Sequence, residues 1–174
     1  MKLNSIWATR FEAVACLVVI LALAISVFAQ PTTYTSTSKG FKITSPVEFV
    51  AAPATTETAD NGKSYTAQLA SGTNANGVYM VMIGTYNFQL VKEDLDRGVD
   101  NIVGDPGTVL VSKDYLTVSG SPAVFIVVTK DKTRVLDLFV FRGNHLYQVM
   151  FGAEEGAKPN TAEVDAYFKS FELI

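Results

Sequence analysis

The sequence predicts an α+β domain, an antiparallel β-sheet covered by helices, that follows an N-terminal hydrophobic signal helix. Three observations support this prediction. An apolar run occupies residues 13–29 and is interrupted only by Ser26. Most of the remaining chain consists of short runs rich in β-branched and aromatic residues, separated by Gly, Pro and Asn, which is typical of strands and turns. Two later segments instead repeat apolar residues at steps of three and four, which is the period of an amphipathic helix.

The first 29 residues have the features of an export signal. Lys2 and Arg10 precede the apolar run, and the run ends in Val27, Phe28 and Ala29, which puts a β-branched and a small residue at the −3 and −1 positions of a cleavage between Ala29 and Gln30. The sequence therefore predicts a signal peptide over residues 1–29 and a periplasmic or secreted domain.

An uncleaved membrane anchor is the alternative for the same segment. A helix over residues 13–29 would span about 25 Å, a little short of a hydrocarbon core of about 30 Å. The domain would then be tethered to the membrane but would still lie outside the cytoplasm.

Composition excludes several classes of function. The chain has 174 residues, a net charge of −3, one Cys and one His, and the Cys lies inside the apolar run. The exported part therefore holds no disulfide, no Cys nucleophile and no thiolate metal site. The part that would be exported also has no cluster of Lys and Arg, so we expect no nucleic-acid partner. No sequence motif indicates a cofactor.

The first half of the exported chain is predicted to be mostly extended. Residues 30–38 are rich in Thr and Ser and suggest a short linker, followed by one domain over residues 39–174. Alternation or apolar runs predict four extended segments, at residues 40–44, 47–50, 65–69 and 78–86.

A helix is predicted in the middle of the chain. Its apolar positions are Phe88, Val91, Leu95, Val99 and Ile102. Asn87 suits its N-cap, Gly104 suits its C-terminal end, and Pro106 prevents its continuation.

Four strands and a second helix are predicted after it. The strands cover residues 109–118, 123–129, 134–141 and 146–151, and Gly143-Asn144 suits a two-residue hairpin turn. The run at 123–128 has no polar alternation, so we expect it in the centre of the sheet, covered on both faces. The terminal helix follows Asn160 and Glu163, which resemble a capping box, and its apolar positions are Val164, Tyr167, Phe168 and Phe171.

These elements together resemble the PsbP-like α/β/α sandwich superfamily. The matching motifs are Gly-Phe-Lys-Ile at 40–43, Ser-Pro at 45–46, Gly-Ser-Pro-Ala at 120–123, Arg-Gly-Asn-His-Leu-Tyr at 142–147 and Phe-Lys-Ser-Phe-Glu-Leu at 168–173. The resemblance covers the exported domain and implies a largely non-catalytic protein, since characterised members are an extrinsic subunit of a photosynthetic metal centre, a Ran-binding factor and small exported bacterial proteins. It carries over no functional residue, because every matching position is structural.

His145 is the single imidazole of the chain. It could act as a general base or a metal ligand, with Asp137 or Glu154 nearby, but no orienting partner is apparent in the sequence. A partly exposed hairpin residue is the simpler interpretation.

Asp137 interrupts an apolar run and shares a strand face with Phe139 and Phe141 by alternation. A buried carboxylate needs a partner, which Arg134 or Arg142 could supply, and a ligand-binding role is the alternative.

An acidic cluster lies on the first predicted helix. Asp94 and Asp96 echo the opening of a calcium loop, but Gly98 stands where the third ligand should be and Gly104 where the bidentate Glu should be. A solvated helix face is favoured, with Glu93 and Arg97 placed for an ion pair.

The sequence as a whole predicts an exported, non-catalytic PsbP-like domain that binds or stabilises an unknown partner. A small-ligand or metal-binding module that uses Asp137 and His145 is the alternative, and a small hydrolase is less favoured, because no Gly-x-Ser-x-Gly elbow and no catalytic residue can be named. No metal-ligand set is predicted.

Overall fold

The computed structural model describes residues 31–36, 39–58 and 62–174. The expected signal peptide, its cleavage site at Ala29 and Gln30, and the end of the expected linker lie outside the described residues. In the described part, eleven strands and two helices follow one another.

Eight strands form one antiparallel sheet. The order across this large sheet is β3-β5-β6-β10-β9-β8-β7, and β4 pairs with β5 beside β3. Its strands are β3 (Val50–Ala51), β4 (Thr55–Thr58), β5 (Ser64–Asn74), β6 (Gly77–Tyr86), β7 (Thr108–Val118), β8 (Ser121–Lys130), β9 (Thr133–Arg142) and β10 (His145–Glu154).

Three further strands form a small second sheet, in the order β1-β2-β11. They are β1 (Thr32–Ser36), β2 (Phe41–Ser45) and β11 (Glu172–Leu173). Phe41 and Ile43 of β2 are fully buried, while Lys42 and Thr44, which alternate with them along the strand, are partly exposed, so one side of this small sheet faces the core.

The two helices pack on opposite faces of the large sheet. Helix α1 (Lys92–Val103) lies against β7, β8 and β9, and Leu95 and Val99 are its buried residues. Helix α2 (Thr161–Lys169) lies on the other face with the small sheet, and buries Val164 and Tyr167. We call these two sides of the large sheet the α1 face and the α2 face.

Each face has its own hydrophobic core. The α1-face core joins the buried residues of α1 to Val124, Ile126 and Phe139 of the sheet. The α2-face core is larger and joins the small sheet and α2 to the alternate side chains of the same strands. The large sheet is therefore the middle layer.

The expected fold class is wrong in one respect. The large sheet is antiparallel, but helices do not cover it as an α/β/α sandwich would require. A small β-sheet forms most of the layer on the α2 face, so the molecule is a β-rich sandwich. Short segments at the two ends of the chain, β1, β2 and β11, meet only in the folded chain, and local periodicity does not reveal such pairing.

Other boundaries also differ from the sequence predictions. Part of the segment expected to be a linker forms β1, which pairs with β2. Helix α1 begins after Val91, and the side chain of Asn87 binds the backbone of Ser64 and Gly62 instead of capping it.

Several local expectations are confirmed. Gly143 and Asn144 form the two-residue loop between β9 and β10, and Gly143 has a φ of 64°. The run at 123–128 has buried side chains on both faces, as expected, but the prediction that it lies in the centre of the sheet is wrong, because its strand, β8, lies beside the edge strand β7.

Gly72 allows the chain after β2 to cross the large sheet closely. A Cβ atom at this position would lie 2.4 Å from the carbonyl oxygen of Glu48 and 2.7 Å from a methyl of Val47. Only glycine leaves room for this contact.

Candidate functional site

Asp137 of β9 and Gln148 of β10 form a buried polar pair inside the large sheet. Their exposed fractions are 3% and 1%, and Gln148 Nε2 donates a hydrogen bond of 2.6 Å to Asp137 Oδ2. Within the described residues, Asp137 Oδ1 and Gln148 Oε1 have no hydrogen-bond partner. If Asp137 is a carboxylate, one buried oxygen of each side chain therefore lacks a hydrogen bond.

The surroundings of Asp137 favour its neutral form. Burial raises its pKa to about 8, and the hydrogen bond from Gln148 opposes this shift only in part. At neutral pH the carboxyl is therefore largely protonated. An O–H on Asp137 can donate to Gln148 Oε1, which gives both unpartnered oxygens a hydrogen bond.

The arginines expected to pair with Asp137 lie elsewhere. Arg134 and Arg142 occupy even-numbered positions of β9, so they face the α2 side, whereas Asp137 faces the α1 side with Phe139. The partner of Asp137 is Gln148, a residue that the sequence patterns did not single out. Its signal was a polar amide inside the otherwise apolar run at residues 146–153 of β10.

His145 lies at the start of β10, on the α2 face of the large sheet. Its ring stacks on Tyr147, with the ring centroids 6.0 Å apart. Burial, and after it the positive charge of Lys39, lowers the pKa of His145, so the imidazole is neutral at neutral pH. In the described part of the chain no carboxylate forms a hydrogen bond or ion pair with this ring.

Asp137 and His145 consequently do not share a site. They lie on opposite faces of the large sheet, and His145 pairs across the strands with Arg142 while Asp137 pairs with Met150. A ligand-binding role for either residue alone stays a prediction.

The acidic residues of α1 form local contacts. Asp94 accepts a hydrogen bond of 2.8 Å from the Val91 backbone N–H and pairs with Arg97, which was expected to pair with Glu93. Asp96 binds Lys113 at 2.6 Å. Across the described residues, no group of three or more His, Cys, Asp or Glu side chains is placed to hold a metal ion.

A groove of about 440 Å³ opens between α1 and the large sheet, and we call it the α1 groove. Its rim on the helix side is polar and includes Asp94, Arg97, Asp100 and Asp105. Its apolar lining consists of Tyr86, Phe88, Leu90, Phe139, Phe141 and Leu146. Most of this lining is aromatic, which is the composition of a surface that buries apolar side chains of a partner.

The groove exists because α1 covers only part of the α1 face. The helix packs on β7, β8 and β9, while Leu146 of β10 and Tyr86 of β6 lie beyond it. Gly98, on the sheet-facing side of α1, leaves a Cβ-sized space about 3.9 Å from the Phe139 ring. Strand and helix periods assign these aromatic residues to the core, so the sequence did not reveal the groove.

Glu163 is a second carboxylate with several hydrogen-bond partners, and the sequence patterns did not indicate these contacts. Asn160 caps α2, as expected, by accepting hydrogen bonds from the backbone of Ala162 and Glu163. The Glu163 carboxylate instead reaches the β5–β6 hairpin, where Oε1 accepts hydrogen bonds from Tyr79 (2.6 Å), Asn76 (2.7 Å) and Asn74 (3.0 Å). This cluster ties α2 to the large sheet.

Comparison with known proteins supports the fold and leaves the activity open. A scan against protein-family models and a search of curated proteins gave no significant match. Among solved structures, the chain is similar to cyanobacterial PsbP (CyanoP) from Synechocystis sp. PCC 6803, with a TM-score of 0.56 and 10% sequence identity, over 89% of this chain and 99% of that chain. Neither described helix has the length and apolar character of a membrane span. The chain thus has a PsbP-like fold, in agreement with the resemblance drawn from its motifs.

Proposed function

We propose that the protein is an exported, non-catalytic PsbP-like domain and that its α1 groove binds a segment of a partner protein. The signal-like residues 1–29 support export. The observation that carries the binding role is the α1 groove itself, an aromatic-lined cleft with a charged helix as one wall.

The charges on the rim favour a partner segment that carries Lys or Arg. Asp94 is paired with Arg97, and Asp105 is paired with Lys130 at 3.2 Å. In the described part of the chain, Asp100 has no ion-pair partner and is exposed. An incoming cation would therefore complete the rim at Asp100 while apolar side chains enter the groove.

Two synthetic amphipathic peptides with the same apolar residues, one flanked by Lys and one by Glu, test this proposal. In NMR titrations we expect the Lys peptide to shift amide signals of α1 and of the groove-lining strands, and Asp100→Asn to weaken its binding severalfold. The Glu peptide should bind more weakly, and Asp114→Asn, an exposed change on the edge strand, should leave binding unaltered. Equal binding of both peptides, or shifts confined to other surfaces, would reject the groove as the binding site.

Export is tested by the mass of the protein recovered from cells. We expect the mass of residues 30–174 in the soluble periplasmic or secreted fraction, because cleavage after Ala29 removes the apolar run. Full-length protein in the membrane fraction would instead establish the anchored form. Full-length protein in the cytoplasm would contradict export altogether.

A further inference from the structure

Strand β7 is an open edge of the large sheet. It pairs with β8 on one side, and among the described residues no strand pairs with its other side. A β-bulge lies between Leu110 and Ser112, so the regular part of this edge is the segment Ser112–Val118, which we call the β7 edge. Tyr115 and Leu116 in its middle are 55% and 41% exposed. An open edge with exposed apolar side chains is a surface on which another strand can pair.

The hairpin turn after β7 determines which backbone groups of the β7 edge are free. Ser119 and Gly120 form a two-residue loop with φ of 49° and 78°, so the residues that flank it, Val118 and Ser121, exchange hydrogen bonds. Hydrogen-bonded and non-hydrogen-bonded pairs alternate along an antiparallel ladder, so the even-numbered residues of the β7 edge bond to β8. The residues whose N–H and C=O groups point outward are Lys113, Tyr115 and Thr117.

The lysine of the β7 edge does not protect it from pairing. A charged lysine on an edge strand commonly prevents association, but Lys113 is held against α1. Its Nζ donates a hydrogen bond of 2.6 Å to Asp96 Oδ1 and lies 5.1 Å from the centroid of the Tyr115 ring. The Tyr115 hydroxyl donates to the same Asp96 oxygen. Asp96 therefore neutralises Lys113, and the edge keeps no free positive charge that would repel a second strand.

A second copy of the same strand is complementary to the β7 edge in one register. Two-fold symmetry about Tyr115 places Ser112 opposite the partner's Val118, so the regular segment pairs over its whole length and its outward N–H and C=O groups face those of the partner. Tyr115 then meets the partner's Tyr115 on the α1 face. On the α2 face Leu116 lies opposite the partner's Asp114 and diagonal to the partner's Leu116.

Other registers of the same pairing are less favourable. A two-fold axis at Lys113 or at Asp114 would put two like charges opposite each other, and an axis at Leu116 would leave one end of the segment unpaired. Helix α1 does not obstruct the pairing about Tyr115. It lies over β7, β8 and β9, so two copies centred on β8 would be three strand spacings apart, roughly 14 Å, which exceeds the roughly 8–10 Å between packed helices.

We propose that the protein forms a two-fold symmetric dimer in which the β7 edges of two copies pair antiparallel about Tyr115 and join the two large sheets into one. The other end of each sheet consists of β3 and β4, with two and four residues, and such short edges do not extend the pairing, so assembly stops at the dimer. The paired segment is short, and its interface is smaller than the standard of about 800 Å² per partner, so the dimer dissociates on dilution. The interface is separate from the α1 groove, whose lining comes from other elements.

Sedimentation equilibrium of the purified soluble protein tests the proposal. We expect the average mass to rise from that of one chain towards that of two as the protein concentration increases from about 1 µM to about 1 mM, without larger species. Protein that stays monomeric over this range would overturn the proposal and would leave the β7 edge to a strand of another protein.

A matched pair of substitutions at Leu116 tests the register. Leu116→Glu brings a carboxylate opposite the partner's Asp114, whereas Leu116→Lys brings an ammonium group opposite the same residue, and each change occurs twice in the dimer. We expect the dissociation constant of Leu116→Glu to be about tenfold higher than that of Leu116→Lys. Adding Asp114→Lys to Leu116→Glu should restore the dimer. Both positions are exposed, so the monomer should keep its fold, and urea unfolding verifies this.

A substitution at the opposite end of the sheet is the control. Val50 of β3 is 74% exposed, and Val50→Glu should leave the dimer unchanged. Equal dissociation constants for Leu116→Glu and Leu116→Lys, or a dimer that Val50→Glu dissociates, would overturn pairing through the β7 edge.

Discussion

Replacing Asp137 with Asn is expected to stabilise the protein at neutral pH by roughly 2–4 kcal/mol. At neutral pH the buried Asp137 has to take up a proton on folding, because its carboxylate form would be a buried charge and would leave Gln148 Oε1 without a hydrogen bond. An Asn amide can accept from Gln148 Nε2 and donate to Gln148 Oε1 at once, with no charge to bury. The size of the gain follows from the raised pKa, because each tenfold change in the protonation equilibrium corresponds to about 1.4 kcal/mol.

The same substitution should remove a pH dependence of stability. The pKa of Asp137 is about 8 in the folded protein, against about 3.9 in an unfolded chain. Between these values the folded state holds a proton that the unfolded state has released, so stability falls as pH rises from about 4 to about 8. Above that window both states are ionised at this residue and its contribution no longer changes.

Urea unfolding at several pH values checks this prediction. The free energy of unfolding of Asp137→Asn minus that of the wild type should be near zero at about pH 4 and should grow as pH rises to about 8. Asp114→Asn, an exposed change on the edge strand, should stay within about 0.5 kcal/mol of the wild type throughout. A wild type as stable as Asp137→Asn at neutral pH would show that Asp137 is not a destabilising buried acid.

Replacing Glu163 with Ala is expected to destabilise the protein by roughly 2–4 kcal/mol. Its carboxylate accepts hydrogen bonds from Tyr79, Asn76 and Asn74, and the Tyr79 ring lies fully inside the α2-face core. Truncation leaves these donors without their acceptor and loosens the contact between α2 and the β5–β6 hairpin. Glu163→Gln should cost less, because its amide oxygen can still accept hydrogen bonds.

The pH dependence from Glu163 has the opposite sign to that from Asp137. Burial by itself would raise the pKa of Glu163, but the hydrogen bonds from Tyr79, Asn74 and Asn76 outweigh burial and hold it below its usual value. The stability that this carboxylate provides is therefore present above its ordinary pKa and is lost as pH falls through the folded value.

Thermal and urea unfolding of three variants measure this effect. Glu163→Ala should lose the full amount, roughly 2–4 kcal/mol of unfolding free energy, at neutral pH and should differ less from the wild type in acid. The stability of Glu163→Gln should lie between those of Glu163→Ala and the wild type. Asp165→Ala, an exposed change on the same helix, should lose less than about 1 kcal/mol. Similar losses in Glu163→Ala and Asp165→Ala would mean that the three hydrogen bonds contribute little.

Local sequence patterns determined most of the individual elements. Alternation and turn residues predicted the strands of the meander and the loop at Gly143 and Asn144, and the three-to-four period predicted α1 and α2. These predictions succeed because the period of apolar residues and the backbone needs of turns act over a few neighbouring residues. The motif resemblance to PsbP-like proteins also agrees with the fold.

Only the tertiary structure decided how these elements meet. The small sheet joins β1 and β2 to β11 from the other end of the chain, and no local period records that pairing. The same reason explains why the partner of Asp137 is Gln148, why His145 lies on the opposite face, and why the sequence did not reveal the groove beside α1. Strand alternation fixes which side of its own strand a residue faces, but the neighbouring strand, the covering layer and the space left open depend on contacts between distant segments.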